Sequence, residues 1–151
     1  MISAMWDINR YTVLAFGILV VDQLLDLLIE LALPIGASVM FIAGWLGVTR
    51  FDGPSGGALD TNGFFTLLAI VLIPFFVRWK MRPAPDALYG VGISLLIGGL
   101  LGNLADGFRV GYPVDYFVIG RAFNLADIAL LTGASVMIYR LWRKDERVEN
   151  N

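Results

Sequence analysis

The stretch Gly98-Gly-Leu-Leu-Gly-Asn103-Leu-Ala-Asp106-Gly-Phe-Arg109-Val-Gly-Tyr-Pro-Val-Asp115-Tyr-Phe-Val-Ile-Gly-Arg-Ala-Phe-Asn124-Leu-Ala-Asp127 decides how the chain is read. Asp115 and Asp127 each stand at the edge of a strongly apolar segment, where an ionised carboxylate is costly unless something pairs with it or uses it. Two acids on such a border, if they meet, can share one proton, because neighbouring like charges resist ionising together. One then acts as base towards a water while the other donates a proton, which is aspartic-protease chemistry.

The composition around this stretch is that of a membrane protein. Of 151 residues, 58% are hydrophobic and only 16% are charged, well to the apolar side of a soluble domain. The charges gather between long apolar runs, so lipid is expected to complete the core of a single domain. With no cysteine and no histidine, nucleophilic triads, thiolate chemistry and the usual zinc ligand sets drop out. A hydrolase built from these residues has to work with carboxylates. A net charge of -2 and the lack of a basic aromatic stripe set nucleic-acid binding aside.

Four apolar spans are expected, at about 11–33, 63–79, 87–104 and 123–139. The expected fold class is an all-α membrane protein of four transmembrane helices, with a small extramembrane β-like cradle at 34–62. The first span starts too late, with too little basic charge ahead of it, for a cleaved signal peptide. It carries Asp22, Asp26 and Glu30 at i, i+4 and i+8, on one face that cannot look at lipid. Asp22 is read as the deep one of the three, with Asp26 and Glu30 towards the interface.

Segment 35–48 is short for a crossing and rich in glycine, so strands or an interfacial element are expected there, followed by turn chemistry through Asn62-Gly63. In the third span Ser94, Gly98 and Gly102 form a small-residue face suited to close helix packing. Asn124 and Asp127 share the first turn of the fourth span and should look inward. Arg78, Lys80, Arg82, Arg10 and the basic tail from Arg140 fall on one side, which the positive-inside rule makes cytoplasmic. Both termini then lie in the cytoplasm, and Asp106, Asp115 and the start of the fourth span lie at the outer face. Asp115 and Asp127 are too close in sequence for another crossing between them, so an extended turn must join them.

Three blocks, Gly102-Asn103-Leu104-Ala105-Asp106, Gly111-Tyr112-Pro113-Val114-Asp115-Tyr116-Phe117 and Phe123-Asn124-Leu125-Ala126-Asp127, resemble signal peptidase II, the prolipoprotein signal peptidase family. The resemblance is close over roughly the last third of the chain and topological over the rest. It implies an aspartic endopeptidase of the bacterial inner membrane that works without a cofactor or metal. Its partners would be membrane lipids and its substrate, a lipid-modified prolipoprotein cut just before the diacylglyceryl cysteine. Asp115 and Asp127 would be the dyad. Asp22, Asn103 and Asn124 match supporting positions, and Asp106 and Arg109 are expected to assist in holding substrate.

The chain departs from the family pattern in three places. Asp26 stands where a lysine is usual, Gly107 where an arginine is usual, with Arg109 displaced from it, and the cradle's Asn-x-Gly signature is only loosely matched at Ser55-Gly56-Gly57 and Asn62-Gly63. The departures at Asp26 and Gly107 fit one other class, a silent lipoprotein-binding escort; the acids within spans fit another, a small ion-coupled transport subunit with Asp22, Asp26, Asp106 and Asp127 along its path.

Overall fold

The computed structural model describes residues 2–42, 46–51, 87–111, 114–119 and 121–149. The expected second span at 63–79 and the turn-rich 52–62 lie outside them. Helix α1 spans Ile2–Ala32, strands β1 and β2 span Ser38–Ile42 and Leu46–Thr49, helix α2 spans Ala87–Val110, strands β3 and β4 span Phe117–Ile119 and Arg121–Phe123, and helix α3 spans Leu125–Glu149. Arg10–Ala32 and Ala87–Val110 are each long and apolar enough to cross a membrane.

α1 is polar inward and apolar outward. Ala15, Asp22 and Asp26 are buried, whereas Val13, Phe16, Leu24, Leu28 and Leu31 are exposed. In water this arrangement would be inside out; in lipid it puts the costly groups where partners exist. Asp26 is as fully buried as Asp22, because it faces α2 across the same stripe.

α2 lies between α1 and α3 and packs against both. Its glycines set the distances. A Cβ at Gly98 would come 2.7 Å from the Ala15 carbonyl oxygen of α1, and one at Gly99 would collide with the Ala126 carbonyl oxygen of α3. Towards the other end, a Cβ at Gly133 of α3 would come within 2.9 Å of the Gly92 carbonyl. Backbones approaching this closely exchange van der Waals contact over a long seam, the main attraction left between helices in lipid. Tyr89, Leu96, Leu130, Ala134 and Met137 fill the seam between α2 and α3.

α2 and α3 both run past their apolar stretches, to Val110 and Glu149. The added turn of α2 places Asp106 and Arg109 on a helix rather than in a loop. In α3, Arg, Lys and Glu are good helix formers, so the helix does not stop where hydrophobicity does.

The strands form one antiparallel sheet in the order β1-β2-β3-β4. β1 and β2 come from the segment where strands were expected. β3 and β4 do not: the connector between Asp115 and Asp127 is a hairpin, with Phe117 opposite Phe123 and Val118 opposite Ala122. Its pairing with β2, Gly47 opposite Val118, joins the connector to the segment after α1. Arg50 fixes that segment to the helix before it, donating from Nη1 to the carbonyls of Glu30 at 2.6 Å and Leu33 at 2.9 Å, which closes the C-terminal end of α1 with a positive charge.

Candidate active site

The first turn of α3 has three backbone N–H groups that the helix itself cannot satisfy, and three side chains, one of them the residue just before the helix, take one each. The Leu125 N–H donates to the Tyr116 hydroxyl at 3.1 Å, the Ala126 N–H to Asp22 Oδ1 at 2.8 Å, and the Asp127 N–H to Asn124 Oδ1 at 2.8 Å. Asn124 is thus the N-cap, and Asp22 reaches over from α1 to the positive end of the helix dipole. The close approach depends on Gly102, where a Cβ would strike the Asp22 carboxylate.

Asn103 of α2 closes a ring with this cap. Its Nδ2 donates to Asp127 Oδ1 at 3.0 Å and its Oδ1 accepts from Asn124 Nδ2 at 2.9 Å. All three side chains are buried, so each amide hydrogen bond forms where an unpaired group would be costly. Asp127 Oδ1 is occupied by this ring. Asp127 Oδ2 is buried with no hydrogen-bond partner among the described residues.

Asp115 stands just before β3 and is 3% exposed. It lies close enough for its charge to act on the Asp127 carboxyl. The hairpin explains this proximity: β3 leaves from Asp115 and β4 returns to Asn124, so both ends of the connector lie together. Tyr116, wholly buried beside Asp115, holds the hairpin through its backbone, with its N–H on the Phe123 carbonyl at 3.2 Å and its carbonyl receiving the Thr49 N–H at 2.9 Å. Burial, with the charges of Asp22, Asp26 and Asp106 adding to it, pushes the Tyr116 phenol above its ordinary value. It therefore stays neutral and hydrogen-bonding.

A second acidic group lies nearby. Asp22, Asp26 and Asp106 are all fully buried and present oxygens within 4.8 Å of one another, the one arrangement among the described residues that could hold a cation. Nitrogen donors already stand there. Gln23 Nε2 donates to Asp106 Oδ1 at 2.8 Å and to Asp26 Oδ2 at 3.1 Å, and Arg109 Nη2 lies 3.4 Å from Asp106 Oδ1 and 4.0 Å from Asp26 Oδ2. Arg109 Nη1 pairs with Glu30. Asp106 Oδ2 accepts the Val114 N–H at 2.9 Å.

The structure thus brings together all seven residues expected at the site: Asp22, Asn103, Asp106, Arg109, Asp115, Asn124 and Asp127. It adds Gln23 and Tyr116, for which sequence gave little signal, since a glutamine on a membrane helix and an aromatic next to an aspartate both have ordinary packing roles. Asp26, expected towards the interface, is wholly buried in this cluster beside Gln23 and Arg109.

Comparison with known proteins matches most of the chain to one family. The family model described as signal peptidase (SPase) II matches residues 14–143. A lipoprotein signal peptidase of Lactiplantibacillus plantarum is 31% identical over 144 residues, covering 89% of this chain and 95% of the relative. Another, of Pelotomaculum thermopropionicum, is 34% identical over 138 residues, covering 86% and 90%. A bacterial membrane enzyme solved by the in meso method at 2.3 Å superposes with a TM-score of 0.73 at 25% identity, covering 93% of this chain and 92% of its own. A second such structure, at 1.9 Å, gives 0.70 at 27% identity, covering 89% and 93%. Matched along most of its length by family model, relatives and fold, the chain belongs to the signal peptidase II family.

Proposed function

We propose that this protease cuts lipid-modified prolipoproteins by activating a water between Asp115 and Asp127. The observation that carries the reading is the ring Asn124–Asn103–Asp127. It fixes one oxygen of Asp127 and leaves the other, Oδ2, buried, unengaged among the described residues and within electrostatic reach of Asp115.

With one carboxyl protonated and the other ionised, the ionised group takes a proton from water as the water's oxygen attacks the scissile carbonyl carbon. The protonated group hydrogen-bonds the oxygen that becomes negative. Collapse of the gem-diol breaks the C–N bond, and a carboxyl proton passes to the leaving amine. The proton belongs to the pair rather than to either aspartate. Asp22 and Asn124 hold the helix that carries Asp127. No cofactor or metal enters these steps.

In the proposed topology four helices cross the bacterial inner membrane with both termini in the cytoplasm. The sheet forms an outer cradle, and the site faces outward. Acyl chains of the diacylglyceryl group would lie in lipid between helices while the adjoining peptide enters extended beneath the sheet. Specificity would come chiefly from the lipid anchor.

The test is cleavage of a diacylglyceryl-modified precursor by the purified protein in detergent or lipid. The wild type should release the signal peptide, and Asp115→Asn and Asp127→Asn should each lower kcat by about a thousandfold or more while precursor binding persists. Cleavage persisting in either variant would overturn the dyad assignment.

A further inference from the structure

Arg109 is a cation set among three acids on two helices, Asp26 and Glu30 of α1 and Asp106 of its own helix. Gln23, Asp26 and Glu30 follow one another at i, i+3 and i+7 on α1, so all three face α2. Arg109 lies three residues beyond Asp106, one turn further along α2. Its two terminal nitrogens divide: Nη1 takes Glu30 of α1, and Nη2 takes Asp106 of its own helix at 3.4 Å, with Asp26 of α1 at 4.0 Å. A planar fork serves two carboxylates on different elements in a way that a point charge on a flexible stem does not.

What this fork holds leads to the site. Asp106 accepts from Arg109 and Gln23 on Oδ1 and from the Val114 N–H on Oδ2 at 2.9 Å. Val114 directly precedes Asp115. The chain has just turned at Gly111, which has a φ of 90°, and enters the hairpin two residues after Asp115. The Val114 N–H is thus where the helix pair grips the connector immediately before the carboxylate. Asp26 and Asp106 are both fully buried, with carboxyl oxygens within 4.8 Å of each other, and the guanidinium offsets the negative charge this pair carries. Without it, Asp106 would turn towards other partners and release Val114.

We propose that Arg109 is a positioning residue of the reaction: acting through Asp106 and the Val114 N–H, it fixes the backbone from which Asp115 reaches the scissile bond. The side chain is one-third exposed at the rim, yet it acts on the reaction from beneath the connector rather than by touching substrate. The inference rests on Asp115 being a catalytic carboxylate.

The test compares Arg109→Gln, Arg109→Lys and Glu30→Gln with wild type, measuring kcat and KM on a diacylglyceryl-modified precursor, thermal unfolding, and amide hydrogen exchange of residues 111–119. Arg109→Gln should lower kcat about 10- to 100-fold with KM within about twofold, as a small misplacement of a reacting group does, and should speed exchange at Val114. Arg109→Lys, which keeps the charge but not the fork, should recover part of kcat. Glu30→Gln should shift both readouts the same way by less.

A raised KM with kcat intact would make Arg109 a substrate contact and overturn the proposal. So would unaltered exchange at Val114 alongside lowered kcat, or a kcat loss matched by general loss of folding in Arg109→Gln and Glu30→Gln alike. Undiminished cleavage by Asp115→Asn would instead overturn the catalytic reading beneath it, whatever Arg109 does.

Discussion

Asn103 and Asp127 stand on different helices and share one hydrogen bond, Nδ2 to Oδ1 at 3.0 Å, while the other end of the same amide accepts from Asn124. One side chain of α2 thus sets both the cap of α3 and the orientation of the acid inside it.

Removing that amide should show as loss of rate and of stability together. Asn103→Ala leaves the Asn124 Nδ2 and Asp127 Oδ1 buried without partners, a cost of about 1–3 kcal/mol. Cleavage should fall about a hundredfold. Asn103→Asp keeps an acceptor for Asn124 but puts an oxygen against Asp127, so it should not rescue activity. Cleavage assays and thermal unfolding of the two variants decide this.

The legibility of this site in the sequence was uneven, for physical reasons. Asp22, Asn124 and Asp127 were readable because polar groups in apolar runs have few innocent explanations and their spacing put them on inward faces, whereas Asn103 came only from the resemblance of its Gly-Asn-Leu block. The hairpin at Phe117–Ile119 and Arg121–Phe123 was not read, although its aromatic and β-branched residues flank a glycine as hairpin strands do; the short connector and the pull of the neighbouring aspartates obscured it. Arg50 carries no such signal, since a side chain capping a helix that ended many residues earlier leaves no local pattern in the sequence. Asp26 was assigned by depth along α1, whereas its burial is decided by residues of α2 far away in sequence.

Crowding at the α1–α2 contact should be felt at one glycine and not at another. Gly102→Ala drives a methyl group into the Asp22 carboxylate and weakens its bond to the Ala126 N–H. A destabilisation of about 1–3 kcal/mol is expected, with reduced cleavage. Gly107→Ala meets nothing within 4 Å and should be neutral or stabilising by up to about 1 kcal/mol. Unfolding temperatures of the pair measure the contrast.

Arg50→Ala should loosen the junction between α1 and the sheet. Two charge-assisted bonds from one nitrogen to the carbonyls of Glu30 and Leu33 are lost, worth about 1.5–3 kcal/mol together. Arg50→Lys should regain part through its charge at the helix end. Hydrogen exchange over residues 29–33 and 46–50 reads the change directly.

Tyr116 gives the molecule an alkaline limit. Burial raises its phenol above the ordinary 10.0, so above that pH the unfolded chain releases a proton that the folded chain retains. Stability from this group is complete below pH 10 and falls as pH rises from there towards the folded value. Tyr116→Phe should remove that alkaline loss while costing about 1 kcal/mol at neutral pH, where the Leu125 N–H loses its acceptor. Denaturation followed from neutral to alkaline pH in both proteins shows whether the curves converge.

The pairing of β2 with β3, Gly47 beside Val118, joins two halves of the polypeptide that leave the ribosome at different times. Until the C-terminal part has been delivered, Asp22 has no Ala126 amide to hold and β2 has no β3 to pair with. A nascent or truncated chain thus carries Asp22 without the amide it holds, so the grouping of these side chains is complete only once the final helix is in place.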